Sequence, residues 1–345
     1  MAPAPALGGR RTFCLSLAAA LALPSPGAAE APPGAPAVVR GLATPFPLPS
    51  NTPPQDGAAA GSTAVLRPLG GLVLNTTAIG FGSFSGLHLD ERLRLTAISD
   101  IGRFLTARLV LREDDWAPLG LADLRTGRLR DGSGAPLPRG YAADAEALAR
   151  LPDGTWLVGF ERWHRIRAYR RLDGPAAYVA APPGLERAPR NGALEALAVL
   201  TDGRWLAITE ALSPPGSPDL RRAWIGRPGR WVPIAYRPGG PGLDPSDAAP
   251  LPDGGALVLE RSFSLFRGFR ARLVRIPPGA LAAPHPGLVL EGETLLRLEP
   301  PWPTDNWEGV AAARVSGRTL VALITDDNEN VLQRTLLLLF ELDGE

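Results

Sequence analysis

Three stretches of the chain carry an acidic residue at each end of one local pattern: Glu146 to Glu161, Glu195 to Glu210, and Asp247 to Glu260. Each is an apolar run, an Asp-Gly pair and a second apolar run. Asp-Gly between two such runs is the strongest short-range signal for a β-hairpin, because a type I′ turn needs positive φ at both central residues. Glu146 lies seven residues before Asp153 and Glu161 seven after Gly154; Glu195 and Glu210 flank Asp202-Gly203 in the same way, and Asp247 and Glu260 each lie six from Asp253-Gly254. In a two-residue hairpin, residues equally far from the turn face each other. The spacing therefore predicts three opposed carboxylate pairs, with Cβ atoms roughly 4.5 to 5.5 Å apart, where like charges destabilise. A metal, an arginine or a shared proton must neutralise them. The register assumes tight turns, and a bulge at Pro152 or Pro252 would break it.

Ser85 to Asp100 and Glu308 to Asp326 have the same shape, the former without Asp-Gly. The candidate metal ligands are then Asp100, Glu146, Glu161, Glu195, Glu210, Asp247, Glu260, Glu308 and Asp326, with Asp305 and Asp327 nearby. All are oxygen donors, which suits calcium with its six to eight carboxylate, carbonyl and water ligands. Zinc is disfavoured, because three scattered histidines and the lone Cys14 cannot make its usual nitrogen and sulfur sites. Arg103, Arg162, Arg261 and Arg334 lie near acidic ends and are candidate substrate-binding cations. Strand alternation points Arg162 and Arg261 away from Glu161 and Glu260, so pairing with carboxylates of neighbouring units is the other reading.

A serine nucleophile fails on spacing. Gly82-Ser83-Phe84-Ser85-Gly86 puts Phe where Gly-x-Ser-x-Gly needs serine, and His88, His164 and His285 lack a serine or acid neighbour that would complete a triad. No residue is assigned a catalytic role. Trp156 and Trp205 occupy one repeat position and are expected in the core; Trp302 and Trp307 lie in a loop where exposure is expected.

The elements that must position these acids repeat along the chain. Further strand-like runs follow the hairpins at 165–169, 223–226 with 231–236, 271–276 and 294–298, and the units recur roughly every 50 to 60 residues. That period suits four-stranded propeller blades, and no long amphipathic helix competes. The reading is an all-β propeller of four-stranded blades, five by hairpin count and six if one is degenerate, with 63–74 supplying the missing strand of the last blade and closing the ring. The acids lie at the ends away from the Asp-Gly turns, so they are expected around one mouth of the central channel.

Arg10-Arg11 with Phe13, the apolar run 15–23 and small residues around Ala28 and Ala29 read as a twin-arginine export signal over 1–31, which implies the Tat export machinery and a periplasmic or secreted destination. The apolar run is too short to span a bilayer. Residues 32–61 are crowded with Pro, Ala and Gly and read as a leader, with the domain over 62–345. The balance of 36 basic against 35 acidic residues gives no general attraction to nucleic acid or anionic lipid, and no nucleic-acid module is recognisable.

Taken together, Phe84-Ser85-Gly86-Leu87 with Ala97-Ile98-Ser99-Asp100, Glu146-Ala147-Leu148-Ala149 with Phe160-Glu161-Arg162, Asn191 to Glu195, Leu259-Glu260-Arg261, Asp305 to Gly309, Asp326-Asp327-Asn328 and Leu332 to Leu336 resemble the bacterial phytase-like family, described by an esterase-like activity. The resemblance runs over about 72–342. It implies a propeller and a hydrolase. Two functions stand at this point: a calcium-dependent exported hydrolase using water on a phosphoester or carboxylic ester, and a non-catalytic propeller whose carboxylates hold structural calcium or pair with arginines.

Overall fold

The computed structural model describes residues 37–49, 64–330 and 332–344. The export signal over 1–31 lies outside them. Five antiparallel sheets are arranged as propeller blades. From the N-terminus, β1 (Ala43–Phe46) and β2 (Val65–Leu74) precede the first complete blade, β3 (Phe84–Leu89), β4 (Arg94–Ser99), β5 (Arg103–Leu111) and β6 (Pro118–Arg128). The second blade is β7 (Ala145–Arg150), β8 (Trp156–Phe160), β9 (Arg165–Tyr169) and β10 (Ala177–Val179). The third is β11 (Leu194–Val199), β12 (Trp205–Thr209), β13 (Arg221–Arg227) and β14 (Arg230–Tyr236). The fourth comprises β15 (Asp244–Pro250), β16 (Ala256–Ser264), β17 (Gly268–Ile276) and β19 (Glu293–Leu298); β18 (Val289–Leu290), from its last connection, pairs in parallel with β14. In the fifth, β20 (Asn306–Val315), β21 (Arg318–Asp326) and β22 (Leu336–Asp343) are completed by β2 and β1.

The ring closes as the sequence predicts, with β2 pairing β22 from Val65↔Asp343 to Val73↔Leu336. The five-blade count holds. The expected leader does not stop where packing begins: β1, inside it, pairs with β2 and lays Phe46 on Gly71, where a Cβ would stand 2.4 Å from the Phe46 ring. Organised structure therefore starts about twenty residues before 62.

Strands β3, β7, β11, β15 and β20 line the channel, each touching the next in cyclic order. Their convergence leaves room for small side chains, and Ala147, Ala149, Ala196, Ala198, Ala248, Ala249, Ala311 and Ala313 occupy these strands. Leu87, Leu148 and Leu197 narrow the waist to a cavity of about 60 Å³. Larger residues fill the wedges between blades, among them Trp224, Tyr169, Phe160 and Phe340.

The Asp-Gly turns are one residue longer than the two-residue form. Leu151 donates to the Thr155 carbonyl at 2.8 Å and Gly154, at φ 86°, donates to Leu151 at 2.9 Å. Leu200 and Arg204, and Leu251 and Gly255, repeat this bond at 2.7 and 2.9 Å. These are three-residue loops, a turn followed by a left-handed glycine. The first hairpin has the same loop with Leu93 at φ 59° in the glycine position, which is why it lacks Asp-Gly.

Candidate carboxylate-ring site

The longer loops shift the registers of the Asp-Gly hairpins by one, while the fifth blade keeps a two-residue turn at Ser316-Gly317. A second irregularity follows near the opposite end of each inner strand: a bulge falls at Glu146 between Ala145 and Ala147, at Glu195 between Leu194 and Ala196, and at Glu308 between Trp307 and Gly309. In β15 it falls at Ser246, and in β3 at Ser85-Gly86. The pairs predicted from spacing do not form. Glu161 faces Asp144, donating its amide to the Asp144 carbonyl at 2.9 Å; Glu210 faces Ala193 in the same way, and Glu260 pairs with Pro245.

Two rings of equivalent positions result. The bulges carry Glu146, Glu195, Ser246 and Glu308, with Ser85-Gly86 in the first blade. At the facing ends of the second strands stand Asp100, Glu161, Glu210, Arg261 and Asp326, opposite Ser83, Asp144, Ala193, Asp244 and Asn306. Bulges re-aim side chains at barrel rims and active sites. Here they bring glutamates from three blades to one mouth, the end away from the Asp-Gly turns, as expected.

The acids that gather are Asp100, Glu146, Glu161, Glu195, Glu210, Glu308 and Asp326, together with Asp144, which sequence spacing missed. Its only signal was its place two residues before Glu146. Side-chain oxygens of Asp144, Glu146 and Glu161 lie within 4.8 Å of one another, as do those of Glu161, Glu195 and Glu210, so Glu161 belongs to both groups. A cation with oxygen ligands at 2.3–2.6 Å spans such separations. Asp247 and Glu260 leave the set. Asp247 is fully buried and accepts from the Val310 amide at 2.9 Å and the Ala248 amide at 2.8 Å, tying two inner strands. Glu260 accepts from Tyr236 Oη at 2.5 Å and from the Gly239 amide at 3.2 Å, with Arg272 Nε 3.7 Å away.

Two of the four candidate arginines reach the ring. Arg162 has φ 57°, which turns its side chain onto Asp144, over the Tyr141 ring. Arg261 Nε donates to Glu308 Oε2 at 2.9 Å and its Nη2 lies 3.3 Å from Glu210 Oε1, so it pairs with both neighbouring blades. Arg103 donates to the Gly80 carbonyl and stacks on Phe81, and Arg334 is largely exposed beside Asp305 at 3.8 Å; neither joins the cluster.

Eight carboxylates against two guanidiniums cannot all ionise in a low-dielectric mouth. Burial, reinforced by Asp326 and Asp144, pushes Asp100 up to about 7; burial and Glu308 push Asp326 to about 7. Asp144 rises to about 6, burial outweighing Arg162. Burial, then neighbouring acids, holds Glu146 and Glu195 well above the carboxylate range. In the ring, the buried Asp100 Oδ1 and Asn306 Oδ1 carry no hydrogen bond and Asp144 Oδ2 meets only its ion pair with Arg162, although the Asn306 amide nitrogen donates to Glu308 Oε1 at 2.9 Å and Asp326 Oδ2 at 3.3 Å. An all-oxygen, charge-deficient ring with spare acceptors fits a hard divalent cation.

Among the described residues no serine–histidine pair competes. His88 lies at the opposite mouth, with its ring edge-on to Trp156 at 5.0 Å, and is held down at about 4 by burial and Arg150 against the opposing Asp90. It borders a cavity of about 530 Å³ with Asp90 and Arg150. His164 Nε2 contacts the Ala188 carbonyl, and His285 is in contact with the Pro286 carbonyl. Trp302 and Trp307 are buried rather than exposed: Trp307 Nε1 bonds the Pro303 carbonyl and Trp302 packs on Phe340. Trp205 is core, against Trp231.

The family model described as "Phytase-like: Esterase-like activity of phytase" matches residues 79–329, which contain every acid of the ring. The chain belongs to this phytase-like family. No curated protein matches it. Solved structures similar to this phytase-like propeller include the PQQ-bound aldose sugar dehydrogenase from Streptomyces coelicolor, 14% identical over 83% of this chain and 100% of that one, with a TM-score of 0.41. The α-L-arabinofuranosidase from Podospora anserina in complex with cellotriose is 13% identical over 80% and 95%, with a TM-score of 0.45. Virginiamycin B lyase from Staphylococcus aureus is 8% identical over 80% and 99%, with a TM-score of 0.40. Among the described residues no helix is long and apolar enough to cross a membrane.

Proposed function

We propose that this phytase-like propeller is an exported, calcium-dependent hydrolase that cleaves a small-molecule phosphoester or carboxylic ester with water as nucleophile. The observation that carries the proposal is the pair of carboxylate groups sharing Glu161, in a ring whose charge its own arginines do not balance. Asp144, Glu146, Glu161, Glu195 and Glu210 hold the cation. When bound, calcium supplies Lewis-acid polarisation of an ester oxygen and acidification of water. Arg162, against Asp144 and Tyr141, offers the guanidinium nearest that side for a substrate oxyanion. Asp100 and Asp326, close to half-protonated at neutral pH, are placed to exchange protons at the mouth.

Export through the twin-arginine route to the periplasm or beyond belongs to the same proposal and rests on Arg10-Arg11 and the apolar run after it. The test is hydrolysis of p-nitrophenyl phosphate and p-nitrophenyl acetate with calcium and after chelation. Activity lost on chelation and restored by calcium supports the proposal. Activity that survives chelation sinks the metal mechanism. Binding of calcium that raises Tm with no hydrolysis of either ester favours the non-catalytic propeller, in which the ring is structural.

A further inference from the structure

Register equivalence assigns each blade one residue at the rim of the mouth. Four blades place an acid there, Asp100, Glu161, Glu210 and Asp326; the fourth places Arg261. We infer that Arg261 is a resident cation standing where the ring would otherwise take a metal ion, and that removing its charge opens a divalent-cation site between Glu195, Glu210 and Glu308. The inference rests on the carboxylate ring being a cation binder, and its test separates its failure from that of the proposed function.

The geometry on this side differs from that around Glu161. Arg261 crosses from its own blade to Glu308 on one side and Glu210 on the other, at 2.9 and 3.3 Å. Glu308 is 7% exposed and belongs to neither carboxylate group that converges within 4.8 Å; its oxygens are committed to Arg261 and to the Asn306 amide. Asn306 is itself 3% exposed, and its Oδ1 has no hydrogen-bond partner. The Asn306 side chain, whose Nδ2 donates to Glu308 Oε1 and Asp326 Oδ2, thus brings a buried acceptor without a donor to the Glu308 corner of the ring.

The guanidinium is held in its charged form. Arginine does not deprotonate at physiological pH. Arg261 therefore holds its charge between Glu308 and Glu210 at any metal concentration, whereas Glu161 has no arginine partner among the ion pairs of the described residues. With Arg261 made neutral, buried carboxylates would face each other with nothing between them, and an uncompensated buried charge is strongly destabilising. A divalent ion relieves that with the oxygen donors already in place.

The test is isothermal titration of the full chain with calcium chloride, comparing wild type, Arg261→Gln and Glu308→Gln, with Tm measured on the same samples. Arg261→Gln is expected to take up one more equivalent of calcium than wild type and to gain more in Tm on calcium addition. An unchanged equivalence in folded Arg261→Gln overturns the inference and leaves the proposed function standing. No uptake by wild type but one equivalent by Arg261→Gln supports the inference and sinks the metal-dependent function. No uptake by either protein overturns both. Glu308→Gln is expected to keep the wild-type equivalence, because Glu308 serves Arg261. Loss of an equivalent there shows Glu308 already ligates metal and overturns the inference, whether or not Arg261→Gln folds.

Discussion

Glu161 stands directly opposite Asp144, its amide donating to the Asp144 carbonyl at 2.9 Å, while its Oε1 accepts from the Gly192 amide across the blade boundary. The backbone thus fixes Glu161 from two blades at the point where both carboxylate groups meet. Removing its charge affects both groups at once, whereas Glu146 or Glu210 belongs to one. Glu161→Gln is expected to weaken calcium binding by at least about tenfold, and more than Glu146→Gln or Glu210→Gln. Glu260→Gln, whose partners are Tyr236 and Gly239, should leave it unchanged. Titration calorimetry reads all four; wild-type affinity in Glu161→Gln would refute the shared-ligand assignment.

The raised acids give stability a definite pH slope. Asp100 and Asp326 rise from 3.8 to about 7 and Asp144 to about 6. A carboxyl with a higher pKa folded than unfolded binds its proton more tightly in the folded state. Its contribution is complete below about pH 4 and is lost as pH rises through about 6 to 7. The groups facing Asp100 include Asp326, Asp144 and Glu329, with Arg139 opposing. Chelated protein is therefore expected to lose Tm between pH 5 and pH 8, and saturating calcium to flatten or reverse that slope, because the ion replaces the protons. A chelated protein whose Tm is level across this range would contradict the charge-deficient ring.

Asp247 tests the distinction between ring and scaffold. Its two oxygens accept from the Ala248 and Val310 amides in the fully buried inner wall, and the Leu87 amide adds a further bond. Asparagine at this position keeps one acceptor and sets an NH₂ against a backbone donor. Asp247→Asn is expected to cost about 1 to 3 kcal/mol, read by urea denaturation, with calcium equivalence unchanged. A loss of calcium binding at wild-type stability would return Asp247 to the ligand set.

The blade plan was legible because it depends on local signals: Asp-Gly loops, apolar runs and their period. The mouth was legible for the same reason, since every acid was read at the strand end away from the turns. The pairing was not. A two-residue and a three-residue loop both accept Pro-Asp-Gly, and the longer loop together with the bulge at Glu146 moves Glu161 from Glu146 to Asp144. The bulges at Glu146, Glu195 and Glu308 depend on five inner strands converging around a narrow waist, a tertiary condition that Glu-Ala-Leu-Ala does not encode. Nor did strand alternation foresee Arg162, whose positive φ carries it back to the acids.

Ring closure makes a last prediction that separates the two N-terminal stretches. Removing residues 1–36 leaves every strand named here intact. Removing residues 1–74 deletes β1 and β2, and with them the ladder from Val65↔Asp343 to Val73↔Leu336. Strand β22 then becomes an open edge whose run Leu336 to Phe340 is wholly buried in the closed ring. Leu66 and Leu72, packed in the wedges on either side, leave cavities in both neighbouring cores. A long apolar edge is a template for pairing with another chain. The shorter deletion is expected to give soluble protein with a Tm within a few degrees of the full chain. The longer one should sediment as aggregate, or elute as oligomers with β-rich circular dichroism. A soluble monomer of wild-type Tm lacking residues 1–74 would show that the ring is held shut elsewhere.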